Sequence, residues 1–474
     1  MNEQLAKVAV PGAVLAACLF GVYLALTRPA MLYRVDLIGA AIFLQIVALA
    51  LWRFKERFFP LMIVAFLWAG TGIPLSGSWN VGRWAVLAAG AFAGLWIYTR
   101  EHTHHFGALH LVALFAVISA GVSALVSTHP EVAFLKAGSL LLLFLYASTG
   151  GRLAIISREL KFFTGLLLGC EILVYLTAIS YFFFGFAFLG NPNSLGAVMG
   201  VVTVPLLMWG VLVSQEPAML RRRGFALILS MALLLSTYSR ASIVAAALAC
   251  GFLSIGLRRY KVLTAGIGLV VLCALLVLTV APPKTHESGS LISEFLYKGA
   301  EQNGALASRR SVWDDTVRSI QQHPWFGTGF GTSATNYDSI TAGSFASSSA
   351  TTREHGNSYL AIAEWVGVLG VLPFFLMLLI IVFNIAKVAL WMRKTSDPFV
   401  SAVPMAAVLA AGLIHGAFED WMFAVGYYLC VFFWIFAFAM FDVMPAIARV
   451  AAPVVLPKSA RPWNNSIGTA APSR

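Results

Sequence analysis

Arg353-Glu354-His355-Gly356-Asn357-Ser358-Tyr359-Leu360 is a cluster of titratable and polar side chains that passes directly into the apolar run 359–390. A run of that length exceeds the roughly 20 residues an α-helix needs to cross a bilayer. The cluster is therefore placed at the mouth of a membrane helix. Just upstream lies the only long hydrophilic stretch, residues 282–354, and before it apolar runs succeed one another from residue 7 to residue 281.

Composition agrees with this reading. The chain has 474 residues, 59% hydrophobic and 11% charged, with a mean hydropathy of +0.83, whereas a soluble domain carries roughly 25% charged residues. Backbone groups in hydrocarbon must be satisfied within helices or closed barrels, and long unbroken runs select helices. The expected fold class is all-α, a polytopic transmembrane helical bundle of about 12–14 spans with one large extracytoplasmic loop. Residues 1–281 form an N-terminal set of membrane helices, 282–355 the large loop, 356–442 the C-terminal membrane helices, and 443–474 a disordered cytoplasmic tail. The five cysteines (Cys18, Cys170, Cys250, Cys273, Cys430) all fall in apolar runs and read as buried hydrophobes. Leu15-Ala16-Ala17-Cys18 has the look of a lipoprotein cleavage box. Its apolar run continues to Leu26, so a retained first membrane helix is expected.

The net charge of +12 needs no nucleic-acid partner. With the N-terminus in the cytoplasm and spans alternating, the basic residues collect on the inside. Arg53-Lys55-Arg57, Arg100, Arg152, Arg158, Lys161, Arg221-Arg222-Arg223, Arg258-Arg259, Lys261, Arg393-Lys394 and the tail lie there. Residues 282–354, Asn191-Pro192-Asn193, Ser239-Arg240, His355 and Glu419-Asp420 then share the outer face. Within the outer stretch, Ser308 to Gln322 reads as an amphipathic helix with Val312, Trp313, Thr316, Val317 and Ile320 at helical spacing. His323-Pro324 ends it, Gly327-Thr328-Gly329-Phe330-Gly331 follows as a tight turn, and Ser344 to Thr352 reads as a flexible lid.

His355 is the candidate catalytic base. Asn357 or Ser358 can cap the helix that follows, and the positive end of its dipole disfavours imidazolium, leaving a neutral ring able to accept a proton. Glu354 either orients the ring or is solvated. Arg240, between two apolar runs, is a costly charge near hydrocarbon and reads as functional rather than snorkelling. Arg309, Arg310 and Arg318 are either a solvated helix face or forks for phosphate. Asn191 and Asn193 read first as a turn and helix start, with a sugar contact as the alternative. The acidic pairs Asp314-Asp315 and Glu419-Asp420 read as solvated or arginine-paired, and otherwise as a divalent-cation site. Glu101-His102-Thr103-His104-His105 has the residue types of a transition-metal site, but it falls on the cytoplasmic side, away from the rest, and reads as an interfacial loop.

Taken in order, Asn191-Pro192-Asn193-Ser194-Leu195-Gly196, Ser239-Arg240-Ala241, Ser308-Arg309 with Trp313, His323-Pro324-Trp325-Phe326-Gly327-Thr328-Gly329, His355 with Asn357, then Gly367 and Gly370 resemble the O-antigen ligase and polymerase superfamily of bacterial membrane proteins. Gly356, between His355 and Asn357, departs from the ligase pattern and leaves polymerase equally open. The charge pattern implies that both termini are cytoplasmic, and the resemblance implies a glycan transferase at the periplasmic face of the inner membrane. The implied donor is an undecaprenyl-diphosphate-linked glycan and the acceptor a sugar hydroxyl, on lipid A core or on another glycan repeat. It implies inversion without a metal or other cofactor, His355 as base, and Arg240 and Arg309 on the diphosphate, with Arg310 and Arg318 as further donor-binding candidates. Asn191, Asn193, Glu354, Asn357, Gly367 and Gly370 are the supporting positions. A lipid-linked glycan flippase is the rival from another class, and a metal-dependent glycosyltransferase is a further rival.

Overall fold

The computed structural model describes residues 58–70, 76–101, 106–156, 158–185, 188–189, 191–268, 307–333 and 354–444. The expected first membrane helix, the cluster at His102–His105, the expected lid at 344–352 and the C-terminal tail lie outside these residues. The described chain is helical and contains no strand. Its principal helices, in chain order, are α1 Phe58–Ala69, α2 Ser76–Glu101, α3 Ala108–Leu125, α4 Pro130–Ser148, α5 Gly150–Ile155 and α6 Glu159–Phe184. They continue with α7 Pro192–Val213, α8 Pro217–Ser236, α9 Arg240–Gly256, α10 Ala307–Gln322, α11 Ser358–Thr395, α12 Ala402–Gly416 and α13 Tyr428–Val443.

Among the described residues, five helices are long and apolar enough to cross a membrane: Ala108–Leu125, Pro130–Ile155, Glu159–Phe184, Pro192–Val213 and Ser358–Thr395. The shorter apolar helices Phe59–Ala69, Arg240–Gly256, Ala402–Gly416 and Tyr428–Val443 pack among them. The chain is an all-α polytopic membrane protein, and its apolar side chains face two ways. Every residue of α13 from Tyr428 to Met440 is buried, whereas Leu160, Phe183 and Phe184 on α6 are exposed, as a lipid-facing surface requires.

Contacts between helix ends show strict alternation. At one end Arg152 holds Asp442 through two bonds of 2.7 and 2.6 Å and meets His110 at 3.0 Å. At the same end Arg223 bonds the Gly210 carbonyl at 3.1 Å and Ser401 donates to Glu159 at 2.8 Å, while Arg222 reaches Glu171, midway along α6, at 2.8 Å. At the opposite end Tyr428 donates to the Ser194 carbonyl at 3.3 Å and Arg83 to the Gly426 carbonyl at 2.6 Å. Arg309 there meets the segment around His355. Among the described residues, the basic clusters around Arg152 and Arg222-Arg223 thus lie at the end away from His355.

One long helix is interrupted. The apolar run after Leu360 reads as continuous, but Gly367 has φ 66° and ψ −178°, and α11 is broken there. The helical bonds lost at the break are replaced by bonds to the turn that follows α10. Thr328 and Gly329 donate to the Glu364 and Trp365 carbonyls at 2.9 and 3.1 Å, while Val368 and Leu369 donate to the Pro324 and Trp325 carbonyls at 2.8 and 3.2 Å. Buried backbone groups must be paired, so the exchange binds the outer turn into the membrane helix. Gly327, Gly329 and Gly331 all have positive φ, which makes the expected tight turn a glycine-dependent one.

Candidate active site

The site is assembled from three separate pieces of chain. α10 is amphipathic, and the face carrying Arg309, Trp313 and Thr316 turns inward. Thr316 is fully buried, and Trp313 donates from Nε1 to the Gly356 carbonyl at 3.2 Å. The second piece is 354–358. Asn357 is the cap of α11, its side-chain oxygen accepting from the Tyr359 and Leu360 amides at 2.8 and 3.1 Å. The third is the 417–427 connection between α12 and α13. Ser358 stitches the second to the third, donating to the Glu419 carbonyl at 2.6 Å and accepting from the Met422 amide at 3.1 Å.

His355 lies where these pieces meet, fully buried, its ring edge-to-face with Trp365 at 5.4 Å. Asp420 Oδ2 accepts from the His355 backbone amide at 2.7 Å and lies 3.2 Å from Nδ1. On the other side of the ring, Nε2 is 3.3 Å from Glu364 Oε2 and 3.4 Å from Ser333 Oγ. Burial alone would lower the imidazole pKa. The hydrogen bonds and negative charges of Asp420 and Glu364 outweigh it and raise the ring above its ordinary value. The dipole argument made from sequence is therefore reversed by two carboxylates that lie far away in sequence or one helical stretch downstream. Asp420 responds in kind: burial would raise it, but its bonds to His355 hold it below the ordinary carboxylate range.

These shifts set a stability window. A raised histidine contributes in full below the unfolded imidazole value and loses that contribution as pH rises through the folded value. A depressed aspartate contributes above its unfolded value and loses it as pH falls through the folded one. The thermal midpoint of the solubilised protein is expected to decline as pH rises above the unfolded imidazole value of about 6.5, and His355→Gln, which has no such proton to lose, is expected to flatten that decline.

Arg309 uses its fork on two carboxylates, Glu354 Oε1 at 2.9 Å and Glu419 Oε1. Burial pushes the Glu419 carboxyl up, against the opposing charge of Arg309. Gly356 has φ +60°, and a Cβ there would lie 2.6 Å from Arg309 Nη1. The inserted glycine thus lets the His355 segment turn tightly beneath the guanidinium. Glu354 is largely exposed and serves Arg309 rather than His355.

Arg240 begins α9, half-buried. It follows Tyr238, whose φ of 51° makes the turn before it left-handed. A buried polar chain ties this turn to the neighbour of Asp420. Ser239 Oγ meets Ser242 Oγ at 2.7 Å, Ser242 meets His415 Nε2 at 3.0 Å, and Trp421 Nε1 donates to His415 Nδ1 at 2.7 Å, one residue from Asp420. Because an indole N–H only donates, Nδ1 of a neutral His415 is the acceptor, and its Nε2–H donates to Ser242. Asn191 caps α7 by accepting from the Ser194 amide at 2.7 Å, the turn-and-cap role expected of it, and Asn193 is exposed beside it. Arg310 is exposed, and Arg318 is exposed and paired with Asp315 at 3.2 Å. Both lie on the outward face of α10, away from the His355 cluster. Gly370 accepts from Ser119 Oγ at 2.8 Å, drawing α3 close to α11.

Beside the site, α3 and the broken α11 enclose an apolar groove of about 410 Å³. Ile118, Val122, Phe326, Leu369 and Leu372 line it, and Ser123 at its wall donates to the Trp365 carbonyl. Glu419 and Asp420 lie at the His355 end, as their place in the sequence suggests, whereas the bonds of Asp420 and Glu364 to His355 and of Ser242 to His415 have no local sequence signature. The one available signal was that Glu364, His415 and Asp420 are polar groups inside or at the edge of apolar runs.

No curated protein matches the chain. Residues 225–375 match the family model described as O-Antigen ligase. The match contains Arg240, Arg309, His355, Asn357, Glu364, Gly367 and Gly370 and ends before Asp420. Over this segment the chain is similar to the O-antigen ligase-like membrane proteins.

Proposed function

We propose that this protein transfers a glycan from a polyprenyl diphosphate, of the undecaprenyl type, to a sugar hydroxyl at the periplasmic face of a bacterial inner membrane. The observation that carries this reading is a buried histidine fixed by an aspartate through both its amide and its ring, with an arginine fork next to it inside the family-matching segment. A sugar hydroxyl is a weak nucleophile and gains from a base within hydrogen-bond reach. Its oxygen forms the new bond to the anomeric carbon as His355 takes its proton. The anomeric carbon–oxygen bond to the diphosphate breaks, and its electron pair leaves on the diphosphate oxygen. One displacement inverts the anomeric centre. Arg240 and Arg309 supply positive charge for the departing diphosphate without a metal. The apolar groove beside Trp365 offers room for part of the prenyl tail.

The collection of basic residues at the end away from His355 favours an outward-facing site. A flippase is less well supported. Transporters place their polar groups near the membrane midplane, whereas the groups around His355 and Arg309 gather at one end of the helices. Ligase and polymerase differ only in the acceptor. Wild-type protein given a polyprenyl-diphosphate-linked oligosaccharide together with lipid A core and free glycan repeat tests the reading and separates the two. Arg240→Lys is expected to raise the donor KM about 10-fold, because a point charge cannot reproduce a bidentate fork. Wild-type kinetics in that variant would remove Arg240 from the donor site.

A further inference from the structure

A base must present a lone pair to its substrate, yet neither ring nitrogen of His355 is open. Asp420 occupies the Nδ1 side and Glu364 the Nε2 side, and the side chains of both His355 and Glu364 are fully buried. Of the two, Asp420 is the anchored partner, because it also grips the His355 amide at 2.7 Å. Glu364 meets the ring through one oxygen only, at 3.3 Å. Its main chain is fixed by the Thr328 amide at the break in α11, so its side chain can swing without unfolding the helix.

We propose that Glu364 is a positioning residue that closes the Nε2 side of His355 and is displaced from it by the acceptor hydroxyl. This rests on the transferase reading above. In the closed arrangement the ring carries two protons between two carboxylates. When the acceptor enters, Glu364 leaves carrying the Nε2 proton, and a neutral hydroxyl replaces a negative charge beside the ring. The neutral imidazole left behind then takes the hydroxyl proton as the glycosidic bond forms. The base is thus armed only when an acceptor is present, which protects the lipid-linked donor from water. Among the described residues, Asp420 faces the ring from the α12–α13 connection and Glu364 from α11, while Arg309 of α10 is held one layer out by Glu354 and Glu419.

The test compares wild type with Glu364→Gln in full-length purified protein by two readouts. The first needs no substrate: the His355 ring signal in isotope-labelled protein, assigned by its loss in His355→Ala, is followed against pH. Removing one neighbouring charge is expected to lower its titration midpoint by about one pH unit. The second is transfer from a polyprenyl-diphosphate-linked oligosaccharide. The acid limb of its pH profile is expected to move down by the same amount, with donor loss to water in the absence of acceptor rising several-fold. A midpoint and limb that stay in place while wild type is active would overturn the role of Glu364. Absence of any transfer by wild type, with a shifted midpoint, would instead overturn the transferase reading. Should Glu364→Gln fail to fold, Glu364→Asp, which keeps the charge but withdraws it, is expected to show the same downward shift in smaller measure, and an unchanged midpoint there would also overturn the role.

Discussion

Replacing His355 with alanine is expected to lower glycan transfer by about 10²–10⁴-fold, the usual contribution of a positioned general base. The protein should still reach the membrane, because the local scaffold does not depend on the ring alone. Asn357 still caps α11, Ser358 still ties Glu419 and Met422 together, and Trp313 still holds the Gly356 carbonyl. The substitution does leave Asp420 and Glu364 without the ring between them, so some loss of stability accompanies the loss of activity. The two are separable by measuring the thermal midpoint of the same preparation and then the transfer rate well below that temperature. Transfer at the wild-type rate in folded His355→Ala would remove the base.

The largest expected loss of stability follows from Gly367→Ala. A Cβ there would run into the Trp325 carbonyl oxygen and lie 2.6 Å from the Gly327 amide, both backbone atoms that have no rotamer to yield. The residue also has φ 66°, which an L side chain adopts only at a cost. Strain and overpacking together are expected to cost about 2–5 kcal/mol. Activity should fall with stability, because the same break sets the positions of Glu364 and Trp365 around His355. Gly251→Ala is the control. It lies in α9 with nothing within 4 Å of the added carbon, and it is expected to be neutral or to stabilise by about 1 kcal/mol. Unfolding curves of the two variants in one detergent settle the comparison, and a Gly367→Ala midpoint equal to wild type would show that the break tolerates a side chain.

Much of the architecture was legible because it rests on local signals. Apolar length located the helices, the amphipathic spacing of Val312, Trp313 and Thr316 found α10 to within a residue of its start, and the Asn357 cap was readable from type and place alone. The basic clusters gave the alternation of helix ends. What escaped was non-local. Asp420 lies 65 residues from His355, and nothing in an acidic pair at a helix edge says which partner it will meet. Glu364 sits within an apolar helix, where one carboxylate has the same appearance whether it binds lipid, ion or ring. The break at Gly367 was invisible because a glycine in an apolar run continues the helix unless a second segment offers replacement hydrogen bonds, and that segment, 324–329, belongs to the outer stretch. The helix dipole alone misjudges His355 for the same reason: the nearest backbone disfavours imidazolium, and the carboxylates that reverse this are brought in by the fold.

The central claim is that this chain itself joins a glycan to a hydroxyl at the expense of a polyprenyl diphosphate, using side chains rather than a metal. Purified wild-type protein with a labelled lipid-linked oligosaccharide, its acceptor and EDTA addresses it directly. The account expects one polyprenyl diphosphate released for each glycosidic bond formed, with inverted anomeric configuration. Donor consumed only when a divalent ion is restored, or donor moved across the bilayer with no new bond, would contradict it.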